Sequence, residues 1–232
     1  MRQPTPMPAA GGTTLADFPD LGYLFNEFYR AYRYRSAGGS ARVRTHMRMV
    51  RNRISKAVAD YPAVVLREPM AKPVCAHLDR ALDNGETDAM ASMVKALENV
   101  RHLLRWEYGY NSMPKGLEKK YAYAELLGSR GPVISDILTL GLVLFAPRTT
   151  YPAHAHTGIT ESYLVLSGAT SENDLGVYVP GSMILNLPGH EHAITTSDFE
   201  PALLAYAWVG EPSDLMAQEM VFAKPPRRRP AT

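Results

Sequence analysis

Along the first hundred residues the apolar positions recur at intervals of three and four, the period of a helix with one buried face. Leu21, Leu24, Phe25, Phe28 and Tyr32 form one such stripe, with Asp17 or Asp20 available to cap its start and Gly38 and Gly39 to stop it. Val43, Met47, Val50, Ile54, Val58 and Tyr61 form a second, running from about Ser40 to the break at Pro62. A shorter helix is predicted over 73–82, where proline is tolerated in the first turn and Asn84-Gly85 signals the stop. A long one is predicted over 87–106, on Met90, Met93, Val94, Leu97, Val100 and Leu104. Past Tyr110 the alternation shortens to two, and Pro114, Gly116, Gly128, Gly131 and Pro132 punctuate it. Strands are predicted over 121–127, 135–145, 151–156, 162–166, 175–179, 183–187, 192–196 and 203–209, the spacing of a sandwich or barrel. The pattern divides the chain into a lead-in over 1–14, a helical bundle over 15–110, a β region over 111–224 and a basic tail over 225–232. The predicted class is α+β.

Composition narrows the function without naming it. A 46% hydrophobic, 21% charged chain of 232 residues can bury a real core. The net charge of +2 is too small to make nucleic acid or an anionic membrane the main partner. Arginines 30, 33, 35, 42, 44, 48, 51 and 53, with Lys56, concentrate positive charge on the first two helices, and a solvated face or partner surface is the expected use. A single cysteine, Cys75, makes no internal disulfide, and the start of the chain lacks the apolar run of a secretory signal, so a cytoplasmic setting is expected. The apolar run 137–146 is far short of the ~20 residues a membrane helix needs and is read as a buried strand.

The chemistry gathers in the stretch 151–168. On a strand His154 and His156 point to one side, and after a turn at Thr157 and Gly158 the next strand offers Glu161 and Tyr163 as a second same-face pair. Imidazole and carboxylate together suit a borderline divalent cation, and His192 is the expected further ligand, with His190 its rival. His46, His77 and His102 lack ligand spacing and are read as structural or exposed.

His154, His156, Glu161 and Gly168 stand in the order and spacing of the first cupin motif. Gly181, Pro188, Gly189 and His192 resemble the second with shifted intervals, although Arg148 stands where the family has a glycine. The β region thus resembles a cupin, which implies a double-stranded β-barrel (jelly-roll) with a metal among its inward side chains. Tyr151 in Tyr-Pro-Ala-His-Ala-His, Tyr163 two places after the glutamate, and Trp208 in Leu-Leu-Ala-Tyr-Ala-Trp-Val-Gly make the chain more closely similar to the cupin-type dimethylsulfoniopropionate lyases, in particular the DddL type with its helical N-terminal region.

That resemblance implies a lyase that cleaves a small zwitterionic substrate by β-elimination to dimethyl sulfide and acrylate. It implies one divalent metal ion (Zn, Mn or Fe) on His154, His156, Glu161 and His192. Tyr163 would be the general base, with Tyr151 as substrate binder or alternative base. Trp208, sharing a face with Tyr206, would hold the sulfonium by its ring quadrupole. Tyr151 shares strand parity with neither histidine, so Pro152 would have to swing it inward. Trp106, Tyr108 and Tyr110 are expected to end the long helix and pack it on the barrel. A homo-oligomer is compatible with all of this. The alternatives are a cupin dioxygenase using ferrous iron and a non-enzymatic cupin that binds a small molecule.

Overall fold

The computed structural model describes residues 13–34, 39–110, 113–217 and 220–222; the expected lead-in up to residue 12, the stop at Gly38 and the basic tail lie outside them. Helix α1 (Pro19–Tyr34) packs on α2 (Ala41–Ala57) and on α4 (Ala91–Val100), and α3 (Leu78–Gly85) rests against the β region. The apolar stripes of the sequence are the buried faces: Leu21, Leu24, Phe25, Phe28 and Tyr32 from one helix, Met47, Val50 and Ile54 from the next. Ser40 caps α2, its hydroxyl accepting from the Val43 amide. That helix ends at Ala57 rather than at Pro62, because Asp60 and Tyr61 already turn into positive φ. Among the described residues no helix is long and apolar enough to cross a membrane.

Strands β1 (Trp106–Glu107), β2 (Tyr121–Gly128), β3 (Val133–Ile134), β4 (Thr139–Phe145), β5 (Thr150–His156), β6 (Thr160–Ser167), β7 (Thr170–Glu172), β8 (Val177–Tyr178), β9 (Met183–Asn186), β10 (His192–Thr196), β11 (Ala202–Val209) and β12 (Met220–Phe222) make two sheets, and a short helix α5 (Pro212–Ala217) follows β11. One sheet has seven strands in the order β1-β2-β4-β11-β6-β9 with β3 beside β2, and the other has five in the order β12-β5-β10-β7-β8. Among the described strands β2 and β3 are the pair that runs parallel, and an isolated parallel bridge joins Met70 to Arg105.

The seven-stranded sheet is covered on both sides, which is why its central strands read as nearly unbroken apolar runs. Ala122, Ala124, Leu140, Leu142, Leu144, Leu164, Leu166, Ala205 and Ala207 share one core with the helices. Their neighbours Tyr121, Tyr123, Phe145, Tyr163, Val165, Leu204, Tyr206 and Trp208 form a second core with Tyr151 and Ile194 of the facing sheet. Tyr-Ala-Tyr-Ala in β2 and Ala-Tyr-Ala-Trp in β11 are the signature of this division: alanine lets the helices come close, and the aromatics fill the barrel. Gly141 completes it, since a Cβ there would lie 2.6 Å from the Tyr206 ring it pairs with across the sheet. Gly168, at φ +74°, turns β6 into β7 where a side chain would strike the Pro201 carbonyl. Arg148, in place of the family's glycine, takes a positive φ of 54°.

Other predicted elements changed as well. The helix expected over 87–106 is helical only to Val100, with a short 3-10 turn after it, and Trp106 pairs with Ala124 as an edge strand. The strand expected over 135–145 begins at Thr139, and the expected 175–179 strand shrinks to Val177–Tyr178. Strands β3, β7 and β12 were not expected; they are too short to show a period. Arg53, counted with the solvated arginines, turns inward instead and donates to the carbonyls of Ile137 (2.6 Å) and Gly210 (3.0 Å), tying α2 to the sheet ends.

Candidate active site

His154, His156, Glu161 and His192 are all buried, and one ligand atom from each lies within 4.8 Å of the others. Strand pairing explains the convergence. His192 of β10 sits directly opposite His154 of β5, and Glu161 comes from β6 in the facing sheet, opposite Trp208 and Asn186. The Nε2 atoms of His192 and His156 approach Glu161 Oε2 to 3.0 and 3.4 Å.

With His154 Nε2 these make three imidazole nitrogens and one carboxylate oxygen, all four buried without a hydrogen-bond partner. Buried polar atoms are ordinarily satisfied, so four orphans aimed at one point are the mark of a cage for an ion. The outward nitrogens hold the rings in place: His154 Nδ1 donates to the Pro152 carbonyl (3.0 Å) and His192 Nδ1 to the His190 carbonyl (3.1 Å). This leaves each Nε2 lone pair free for a metal. It also separates the two rivals: His192 brings its ring to the cage, while exposed His190 contributes its backbone.

Electrostatics distinguish the ligands: at His192 burial lowers the pKa, but the Glu161 carboxylate outweighs it and raises it. Burial, then the neighbouring His192, lowers His154 to about 3. For Glu161 burial alone would raise the pKa, but His156 and His192 outweigh it and hold the carboxyl well below its usual range.

The sequence model of the dimethylsulfoniopropionate (DMSP) lyase family matches residues 46–204, which include the whole cage. A protein of Cereibacter sphaeroides assigned as DMSP lyase DddL is 52% identical over 215 residues, 93% of each chain. The chain belongs to the DMSP lyase family. With that family it is a carbon–sulfur lyase. The crystal structure of the DMSP lyase DddQ from Ruegeria pomeroyi DSS-3 superposes with a TM-score of 0.67 at 21% identity, over 88% of this chain and 96% of that one. The crystal structures of the DMSP lyases RdDddP and RnDddQII give 0.64 at 19%, over 89% and 99%. These two likenesses speak for the fold, helices followed by a cupin β region.

The other family-motif residues line the same interior. Tyr121, Tyr123, Val143, Tyr151, Glu161, Tyr163, Tyr206 and Trp208 enclose a cavity of about 10 Å³, room for one water molecule. A far larger groove of about 800 Å³ between α1 and α2 is lined by Phe25, Tyr29, Ile54 and Tyr61 and holds no ligand cluster.

Tyr151 reaches the interior by a route that alternation does not give. Opposite it, β10 spends two residues from His192 to Ile194 while β5 spends three from His154 back to Tyr151. This bulge at Pro152 and Ala153 resets the parity, so Tyr151 and His154 face the same way. Trp208 does more than face the cavity: its Nε1 donates to Glu161 Oε1 at 2.7 Å and so orients the carboxylate. Tyr206 lies beside it, ring centroids 5.2 Å apart, its buried hydroxyl without a partner.

Sequence reasoning missed Tyr110, whose hydroxyl accepts from Tyr151 (2.8 Å), and Tyr121, whose ring lies 4.6 Å from that of Tyr151. The alternation of Tyr121 and Tyr123 with alanines was a usable signal for the second. It also missed Glu172 and Asn186, buried and joined at 2.9 Å; burial raises the Glu172 pKa.

Proposed function

We propose that the protein cleaves DMSP by β-elimination to dimethyl sulfide and acrylate, with His154, His156, Glu161 and His192 holding one divalent cation and Tyr163 acting as base. The observation that carries this reading is the buried cage of four otherwise unpartnered donor atoms in a member of the DMSP lyase family. Imidazole and carboxylate in this proportion suit zinc, manganese or iron. A cation bound there would withdraw charge from the substrate carboxylate, acidify the carbon beside it and make the nearby phenol easier to ionise.

The remaining work belongs to the side chains. Tyr163, ionised to its phenolate before the step, takes the proton from the carbon next to the carboxylate, the C–H electron pair becomes the C=C bond, and the C–S bond breaks with its pair leaving on dimethyl sulfide. Its ring centroid is 6.2 Å from that of His192. Burial and the adjacent Glu161 carboxylate raise its pKa well above 10, so the protein alone keeps this phenol protonated. Tyr151 donates to the substrate carboxylate. Trp208 and Tyr206 face the sulfonium, an indole contributing about 0.5 to 2 kcal/mol to a cation over its ring.

Headspace analysis of purified protein with DMSP under nitrogen, with and without a chelator, tests the reading. Dimethyl sulfide that disappears on chelation is expected. Release that requires oxygen would point to oxidative chemistry, and release indifferent to the chelator would remove the cation from the scheme.

A further inference from the structure

We infer that Tyr110 is a positioning residue for Tyr151, strengthening the bond by which Tyr151 holds the substrate carboxylate; this rests on the DMSP lyase reading above. Tyr110 lies in the segment after β1, outside the strands that carry the cage. Its hydroxyl accepts the Tyr151 proton at 2.8 Å, and its ring meets the His154 imidazole edge-on, centroids 6.5 Å apart at 89°. One side chain thus touches both the proposed substrate binder and a cage imidazole.

Besides the pairing of β1 with β2, the segment is held by contacts away from the cage strands. The Trp106 amide donates to the Met70 carbonyl at 2.8 Å, and the Tyr108 hydroxyl to the Glu118 carbonyl at 2.6 Å. The Lys72 ammonium lies 4.7 Å over the Tyr108 ring. Tyr110 is therefore brought to Tyr151 by a braced loop.

With no substrate, the proton of Tyr151 is given to Tyr110. A carboxylate in the cavity competes for that proton, and when it takes it the Tyr110 hydroxyl rotates and donates to Tyr151 in turn. A phenol that receives a hydrogen bond is a better donor, so the two bonds reinforce each other in low dielectric surroundings. No covalent bond changes. The effect falls on binding, in ground state and transition state alike, and so on KM.

The test uses Tyr110→Phe, Tyr151→Phe and the double variant, with steady-state kinetics on DMSP, metal content and Tm. Tyr110→Phe is expected to raise KM about 3- to 10-fold, the scale of one hydrogen bond, with kcat, metal content and Tm little changed. In the Tyr151→Phe background it should add nothing, because the partner is gone. An unchanged KM in the single variant, or the same KM increase in both backgrounds, overturns the inference.

A readout without turnover completes the test. In protein labelled at tyrosine Cζ, the NMR signal that vanishes in Tyr151→Phe should shift in Tyr110→Phe, and a signal that stays put overturns the hydrogen bond. The expected shift in Tyr110→Phe together with a wild type that releases no dimethyl sulfide sinks the parent reading and this role with it. An active wild type with unaltered Tyr110→Phe kinetics sinks this role alone.

Discussion

Strand β6 puts two kinds of buried polar group back to back. Ser162 looks toward the helices, where its hydroxyl lies 2.8 Å from both His46 Nε2 and the Tyr32 hydroxyl. Glu161 and Tyr163, one residue to either side, look into the barrel, where Glu161 Oε2 and the Nε2 atoms of His154, His156 and His192 have no partner. The helix side is largely alanine and leucine, and there the Ser162 hydroxyl is engaged by two partners, while His46 Nδ1 stays open. The barrel side is aromatic and holds its donors open. An unpaired buried polar group costs stability, so a cluster of them is kept only where something else satisfies it. The two faces of one sheet thus divide the labour: a doubly bonded Ser162 hydroxyl fastens the helices, and four open atoms converge where they could hold an ion.

Substitutions on the two faces should separate accordingly. His192→Ala should have the largest effect, removing bound metal by elemental analysis and taking dimethyl sulfide release to background; full activity with metal retained would break the comparison at its centre. Tyr163→Phe should keep the metal and lose about 10² to 10⁴ in turnover, the scale of a general base, so near-normal rates would move that role to Tyr151. Trp208→Phe keeps an aromatic ring but loses the donor to Glu161, and a 10- to 100-fold weaker metal affinity is expected in a chelator titration.

The helix side should leave turnover untouched and show itself in stability. Burial, and then Arg53, lowers the His46 pKa from 6.5 to about 4. The unfolded chain therefore binds this proton before the folded one does. Stability should be highest above pH 6.5 and fall between there and pH 4, by up to about 3 kcal/mol at 1.36 kcal/mol per unit, then flatten. His46→Gln should abolish that part of the slope in denaturant melts, with kcat unaltered; a change in kcat would mean the faces are coupled.

How much of this was readable beforehand depended on the distance over which each feature is encoded. The helix stripes and the cage ligands follow from periods of 3.6 and 2, which any chain expresses locally. Tyr151 was harder: alternation placed it on the wrong side, and only the unequal residue count across the β5–β10 pair turns it inward. Trp106 read as the end of a helix because Val100 and Leu104 continue the stripe, but the edge of β2 offered its backbone a partner. Tyr110 carried no local mark, since its neighbours Tyr151 and His154 lie more than forty residues away in the chain.

By itself the amino-acid order determined which residues could be ligands and which faces would be apolar, because those properties belong to side-chain chemistry and to the repeat of a single helix or strand. Only the folded chain decided which polar atoms were paired and which were left open. Pairing is a relation between segments brought together by sheet register, a bulge and a braced loop, and no single segment contains it.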